Sequence, residues 1–172
     1  MLRRLVMVNG LVLLVLTTLD AMDRLTGGSV SAVWPAEGAW MLATSWKMEV
    51  LASRPWSVVT HMFTHQGIWH FIMNMLLLTW MGRLYHAEVG SRRLLSTYLA
   101  GGFAGFFAYF VLTNGFKPLQ GESTFALGAS ASVMAVIIRG TCPTSTLSVA
   151  SLSWTHCRAR ALNLSRWQEL AS

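Results

Sequence analysis

The stretch Leu94-Leu-Ser-Thr-Tyr-Leu-Ala-Gly-Gly-Phe-Ala-Gly-Phe-Phe-Ala-Tyr-Phe-Val-Leu112 decides the fold, because it is strongly apolar and contains no charged residue. A helix needs roughly 20 predominantly apolar residues to cross a bilayer, and this stretch is close to that length. Within it, Gly101 and Gly105 have the spacing that lets a neighbouring helix approach closely. The stretch therefore predicts a transmembrane helix that packs tightly against another helix.

The rest of the chain repeats this pattern of apolar runs separated by charged segments. Hydrophobic residues make up 53% of the 172 residues and charged residues only 12%, which is unusual for a soluble domain. Three further spans are predicted, at Leu5–Leu19, from after Trp56 to about Gly82, and at Phe125–Ile138. We expect an all-α membrane protein with four transmembrane helices.

The chain divides at about residue 138. Residues 1–138 contain all the predicted spans and form one predicted domain. Residues 139–172 are rich in Ser, Thr and Arg, have no run that could span a bilayer, and show no clear periodicity. We predict that this second segment is a disordered, basic tail of unrelated character.

Charge predicts the orientation in the bilayer. If the N-terminus is cytoplasmic, nine Lys and Arg residues lie inside and four lie outside, as the positive-inside rule requires. The net charge of +6 comes without a basic stripe interleaved with aromatic residues, so no nucleic-acid partner is predicted. We expect an integral, multi-pass membrane protein with a cytoplasmic N-terminus and the lipid bilayer as a partner. The oligomeric state stays open.

Three polar residues within the predicted spans are candidates for a functional site. His70 and Asn74 are four residues apart and share one helix face, and Ser130 lies in a run of small residues. Polar groups in hydrocarbon are costly, so they indicate function by default. A hydroxyl, an imidazole and a carboxamide are groups that acyl transfer uses. The alternative is structural: such residues also form hydrogen bonds between helices or to their own backbone.

Five motifs occur in a fixed order: Arg54-Pro-Trp56, Phe63-Thr-His65, His70-Phe-Ile-Met-Asn74, the segment from Gly90 to Gly102, and Leu127-Gly-Ala-Ser130. In this combination they resemble the rhomboid family of intramembrane serine proteases, over about residues 54–138. The resemblance implies a helical bundle of usually six spans, of which four are present here. It also implies a serine endopeptidase that cleaves transmembrane protein substrates.

The resemblance assigns a role to each candidate residue. Ser130 is implied as the nucleophile, and His70 and Asn74 are implied as oxyanion-hole donors, assisted by the Ser130 amide. Ala131 follows the serine where the family more often has glycine. His61 and His65 have a spacing that could bind a metal, but no acidic third ligand accompanies them. We predict no metal and no cofactor.

One family feature is missing from the sequence. Rhomboids activate the serine with a histidine of the sixth span, in an Ala-His-x-x-Gly-type segment. The one histidine after Ser130 is His156, in a polar and basic segment, so no general base is predicted in this chain. We expect a C-terminal truncation or a frameshift after about residue 138, with impaired Ser–His dyad chemistry. The alternatives are an inactive relative that only binds transmembrane segments, or a non-functional truncated product.

Overall fold

The structure, a computed structural model, describes residues 1–27, 41–65, 67–116, 119 and 125–141. The predicted tail from residue 142 onward, with His156, lies outside the described residues. The described part has six helices: α1 Leu2–Leu25, α2 Met48–Ser53, α3 Ser57–Thr60, α4 Ile68–Glu88, α5 Leu94–Gly115 and α6 Ser130–Thr141. It also has two 3-10 turns, His61–Phe63 and Ser91–Arg93, and two strands, β1 Thr44–Ser45 and β2 Phe125–Ala126.

Two of the described helices are long and apolar enough to cross a bilayer. These are α1, with 24 residues, and α5, with 22 residues. The 21-residue α4, which includes His70, Asn74 and Arg83, does not meet this criterion. The 12-residue α6 is too short to span alone. The predicted all-α architecture is confirmed for the described residues, whereas only two of the four predicted spans meet the criterion for crossing.

Two predicted spans have different bounds in the structure. The second was expected to begin after Trp56, but residues 57–63 form α3 and a 3-10 turn, and Thr64 is extended. The long helix begins only at Ile68. In the fourth, Phe125 and Ala126 form a strand that pairs antiparallel with Ser45 and Thr44. The helix starts later, at Ser130, because the positive φ of 128° at Gly128 is incompatible with a right-handed helix.

Helix α6 packs between α4 and α5, and α1 packs against α4. The buried core between these helices includes Leu78, Tyr85, Tyr98, Val133 and Val136. The prediction that the glycine pair receives a neighbouring helix is confirmed, and that helix is α6. A Cβ on Gly101 would overlap the Cβ of Ala135, and one on Gly105 would overlap the Cβ of Ala131.

A buried polar network links α1, α5 and the first 3-10 turn. Asn9 is fully buried; its Nδ2 donates to the Leu5 carbonyl at 2.8 Å and lies 3.4 Å from the Tyr98 hydroxyl. The Tyr98 hydroxyl donates to the Met62 carbonyl at 2.8 Å. Because each of these polar groups is buried, the bonds satisfy groups that would otherwise destabilise the fold. The network ties α1 and α5 to the segment that precedes α4.

We expect Tyr98→Phe to lower the free energy of unfolding by about 1–2 kcal/mol, because the Met62 carbonyl and Asn9 lose a buried partner. The measurement is SDS-induced unfolding in mixed micelles, followed by circular dichroism. Thr18→Val is the matched control, since its hydroxyl donates to the Leu14 carbonyl within the exposed surface of α1. Equal stability of Tyr98→Phe and the wild type would show that the network contributes nothing.

Candidate functional site

Ser130 lies at the N-terminus of α6, where the loop of residues 127–129 places it. The Gly128 amide donates to the His61 carbonyl at 2.9 Å, which anchors the loop to the first 3-10 turn. Ala129 is fully buried, and its carbonyl accepts a hydrogen bond from the Val133 amide at 2.8 Å. This bond begins the helix, so Ser130 is the first helical residue, and its side chain is exposed.

The His70 imidazole lies against the same loop. A Cβ built on Gly128 would be 2.8 Å from Cε1 of His70 and 3.3 Å from Nε2. Real Cβ atoms do not approach so closely, so the ring occupies space that is open only because residue 128 is glycine. The structure therefore brings His70, from α4, to the loop that carries Ser130.

Asn74 lies one turn after His70 on α4 and is buried, with 6% of its surface exposed. Its Nδ2 donates to the backbone carbonyl of His70 at 2.9 Å. That bond uses one of the two N–H groups of the carboxamide and leaves the other as a donor. Both residues belong to the continuous helix α4, so their spacing of four places them on one face, as predicted.

His65 is a buried neighbour of the site, which the sequence indicated as part of a family motif and as a candidate metal ligand. Its ring packs edge-on against His70, with centroids 5.5 Å apart, and against Phe71, at 5.3 Å. Among the residues that the structure describes, neither ring nitrogen of His65 has a hydrogen-bond partner. His65 therefore supports the His70 ring through packing.

His61 is committed to the backbone. Its Nδ1 donates to the Ser57 carbonyl at 3.0 Å, and its own carbonyl accepts the Gly128 amide. In the described part of the chain, no three His, Cys, Asp or Glu residues come close enough together to hold a metal ion. His61 therefore contributes to the site through its backbone carbonyl, which holds the loop before Ser130. A motif of side chains could not indicate this contact.

This arrangement has the donors that acyl transfer requires. The first amides of a helix have no partner within it, so the N-terminus of α6 presents N–H groups beside the exposed Ser130 hydroxyl. The side chains of His70 and Asn74 add further N–H donors on α4. Within the described residues, the Ser130 hydroxyl forms no hydrogen bond to a histidine. The described residues thus present an exposed hydroxyl at the start of α6 and N–H donors on α4.

The sequence model of the Rhomboid domain matches residues 52–152, well over half of the 172-residue chain. The matched region contains His70, Asn74 and Ser130, and it continues past residue 138. No curated protein and no solved structure matches the chain significantly. The family match agrees with the motifs of the sequence and with the apolar helices α1 and α5. The chain is a membrane protein that belongs to the rhomboid family.

Proposed function

We propose that this chain carries the nucleophile and the oxyanion-binding half of an intramembrane serine endopeptidase that acts on transmembrane segments of proteins. The observation that carries the proposal is the contact of the His70 ring with Gly128, two residues before Ser130. Rhomboid proteins are in general serine intramembrane proteases. In this chain, Ser130 lies at the start of α6, and the proposed side-chain donors His70 and Asn74 lie on α4.

In the proposed reaction, the Ser130 oxygen attacks the scissile carbonyl and its proton passes to a base. The carbonyl oxygen becomes an oxyanion, which the Ser130 amide and the side-chain N–H groups of His70 and Asn74 stabilise. The C–N bond then breaks, the amine leaves with the proton, and water hydrolyses the ester on Ser130. Preorganised donors at such a site contribute about 2.7–4 kcal/mol each to lowering the barrier.

The general base of this reaction comes from outside the described residues. His70 is proposed as an oxyanion donor, and His61 is bound to the Ser57 carbonyl. His65 packs behind His70, and His86 lies near the far end of α4, about 16 residues or four turns from His70. Loss of an adjacent base lowers the rate by about 10²–10⁴-fold, so the proposal expects the serine to react slowly wherever no base reaches it. The multi-pass topology and the cytoplasmic N-terminus are part of the same proposal.

Chemical rescue tests this proposal. A serine-directed fluorophosphonate probe should label the purified chain slowly, and excess free imidazole should raise the labelling rate by about tenfold, because it replaces part of the missing base. Ser130→Ala should abolish the label. Ser132→Ala is the matched control and should keep it, because the Ser132 side chain is buried, with 1% of its surface exposed.

The second candidate function is non-catalytic binding of transmembrane segments. It is favoured by the exposed Ser130 hydroxyl, which has no histidine partner in the described part of the chain. This function would leave labelling at background level both with and without imidazole, while photo-crosslinking to a transmembrane peptide would persist. Labelling of Ser130→Ala as fast as the wild type would contradict the serine chemistry directly.

A further inference from the structure

One end of the helical bundle is strongly basic. Helix α1 begins there, α4 ends there and α5 begins there. These helix ends carry five arginines: Arg3, Arg4, Arg83, Arg92 and Arg93. Across residues 1–19 and 50–121, the sequence contains a single acidic residue, Glu88. Within the part of the chain that the structure describes, no salt bridge to these five arginines is formed.

A cavity of about 740 Å³ opens at this end, between α1 and α4. Its polar lining includes Arg3, Arg83 and His86, and its apolar lining includes Leu2, Val6 and Met7. The two arginine side chains are exposed, and neither forms a salt bridge within the part of the chain that the structure describes. The cavity thus places cationic donors beside an apolar wall.

Leu2 closes the cavity against α4 by packing over Gly82. A Cβ on Gly82 would lie 2.6 Å from Cδ1 of Leu2, so a larger residue at this position would displace the Leu2 side chain. The apolar run of α1 begins at Leu5, two residues after Arg3, and α5 begins directly after Arg93. The arginines of the cavity therefore lie where hydrocarbon-facing helix gives way to polar chain, which is the level of lipid headgroups.

We propose that this cavity binds an anionic phospholipid. The phosphodiester lies between the guanidinium groups of Arg3 and Arg83, which suit phosphate oxygens in charge and in hydrogen-bond geometry. The acyl chain covers the apolar wall formed by Leu2, Val6 and Met7. The lipid is anionic rather than zwitterionic because the described lining contains two arginines and no acidic residue, so a choline cation would meet like charge there. This site is independent of the serine chemistry, since its residues are not those of the loop before Ser130.

The test is binding of phosphatidylglycerol to the purified full chain in nonionic detergent, measured by native mass spectrometry. We expect the double variant Arg3→Gln/Arg83→Gln to bind about 25-fold more weakly, at about fivefold for each arginine. The matched control is Arg92→Gln/Arg93→Gln, which removes the same charge at the same end but leaves the cavity lining unchanged. This control should change the affinity by less than about twofold.

Two comparisons use the wild-type protein and do not depend on how the variants fold. Phosphatidylcholine should bind much more weakly than phosphatidylglycerol, and inorganic phosphate should not displace the bound lipid. Equal affinity for the two lipids would overturn the proposal. Displacement by phosphate would indicate a site for free anions instead, and equal losses in both double variants would indicate diffuse surface attraction.

Discussion

Gly128→Ala is expected to slow probe labelling of Ser130 by about 10²–10³-fold, the cost of losing one oxyanion donor. The methyl group would lie 2.8 Å from Cε1 of His70, so the imidazole must move away from the loop. The φ of 128° adds backbone strain, because side chains other than hydrogen are disfavoured there. The measurement is the labelling rate in excess imidazole.

The control separates the strain from the displacement of His70. Gly90 also has a positive φ, 89°, but a Cβ there would meet no atom within 4 Å. Gly90→Ala should therefore cost about 1 kcal/mol of stability and leave labelling unchanged. In a His70→Ala background, Gly128→Ala should slow labelling little further, because both changes remove the same donor. If Gly128→Ala were labelled as fast as the wild type, the His70 imidazole would not be an oxyanion donor.

Gly101→Leu is expected to lower the free energy of unfolding by about 3 kcal/mol, the upper part of the range for overpacking a core. A Cβ at this position would overlap the Cβ of Ala135 and lie 3.0 Å from the Ala131 carbonyl oxygen and 3.2 Å from the Ser132 Cα. Two of these three atoms belong to the backbone of α6, so no side-chain rotation relieves the clash. Helices α5 and α6 must separate.

Gly115→Leu is the matched control on the same helix. A Cβ on Gly115 would meet no atom within 4 Å, and leucine has a higher helix propensity than glycine by up to about 1 kcal/mol. This variant should therefore be as stable as the wild type or slightly more stable in SDS titration followed by circular dichroism. If Gly101→Leu were as stable as the wild type, this result would contradict the close packing of α5 against α6 at Gly101.

Hydropathy and helical periodicity were enough to predict the apolar helices and the shared face of His70 and Asn74. The Gly101 spacing likewise predicted a close helix partner, because such signals are local in the sequence. They could not predict the pairing of Thr44 with Ala126, since that contact depends on which distant segments meet. The bond from Tyr98 to the Met62 carbonyl joins residues 36 apart in the sequence and is invisible to any local pattern.

The departure at Ala131 has a structural explanation. The family more often has glycine after the serine, and the Ala131 methyl needs additional room. Gly105 provides it, because a Cβ on Gly105 would overlap the Cβ of Ala131. The two positions therefore form a size-matched pair across α5 and α6, and either methyl fits only while its partner is glycine.

Two adjacent carbonyls of the first 3-10 turn hold two different parts of the molecule. The His61 carbonyl accepts the Gly128 amide of the serine loop, and the Met62 carbonyl accepts the Tyr98 hydroxyl of α5. The turn is therefore a shared anchor for the serine loop and, through the bond between Tyr98 and Asn9, for α1. A substitution that displaced this one turn would remove the backbone acceptors of both, although α1 contributes no described residue to the site.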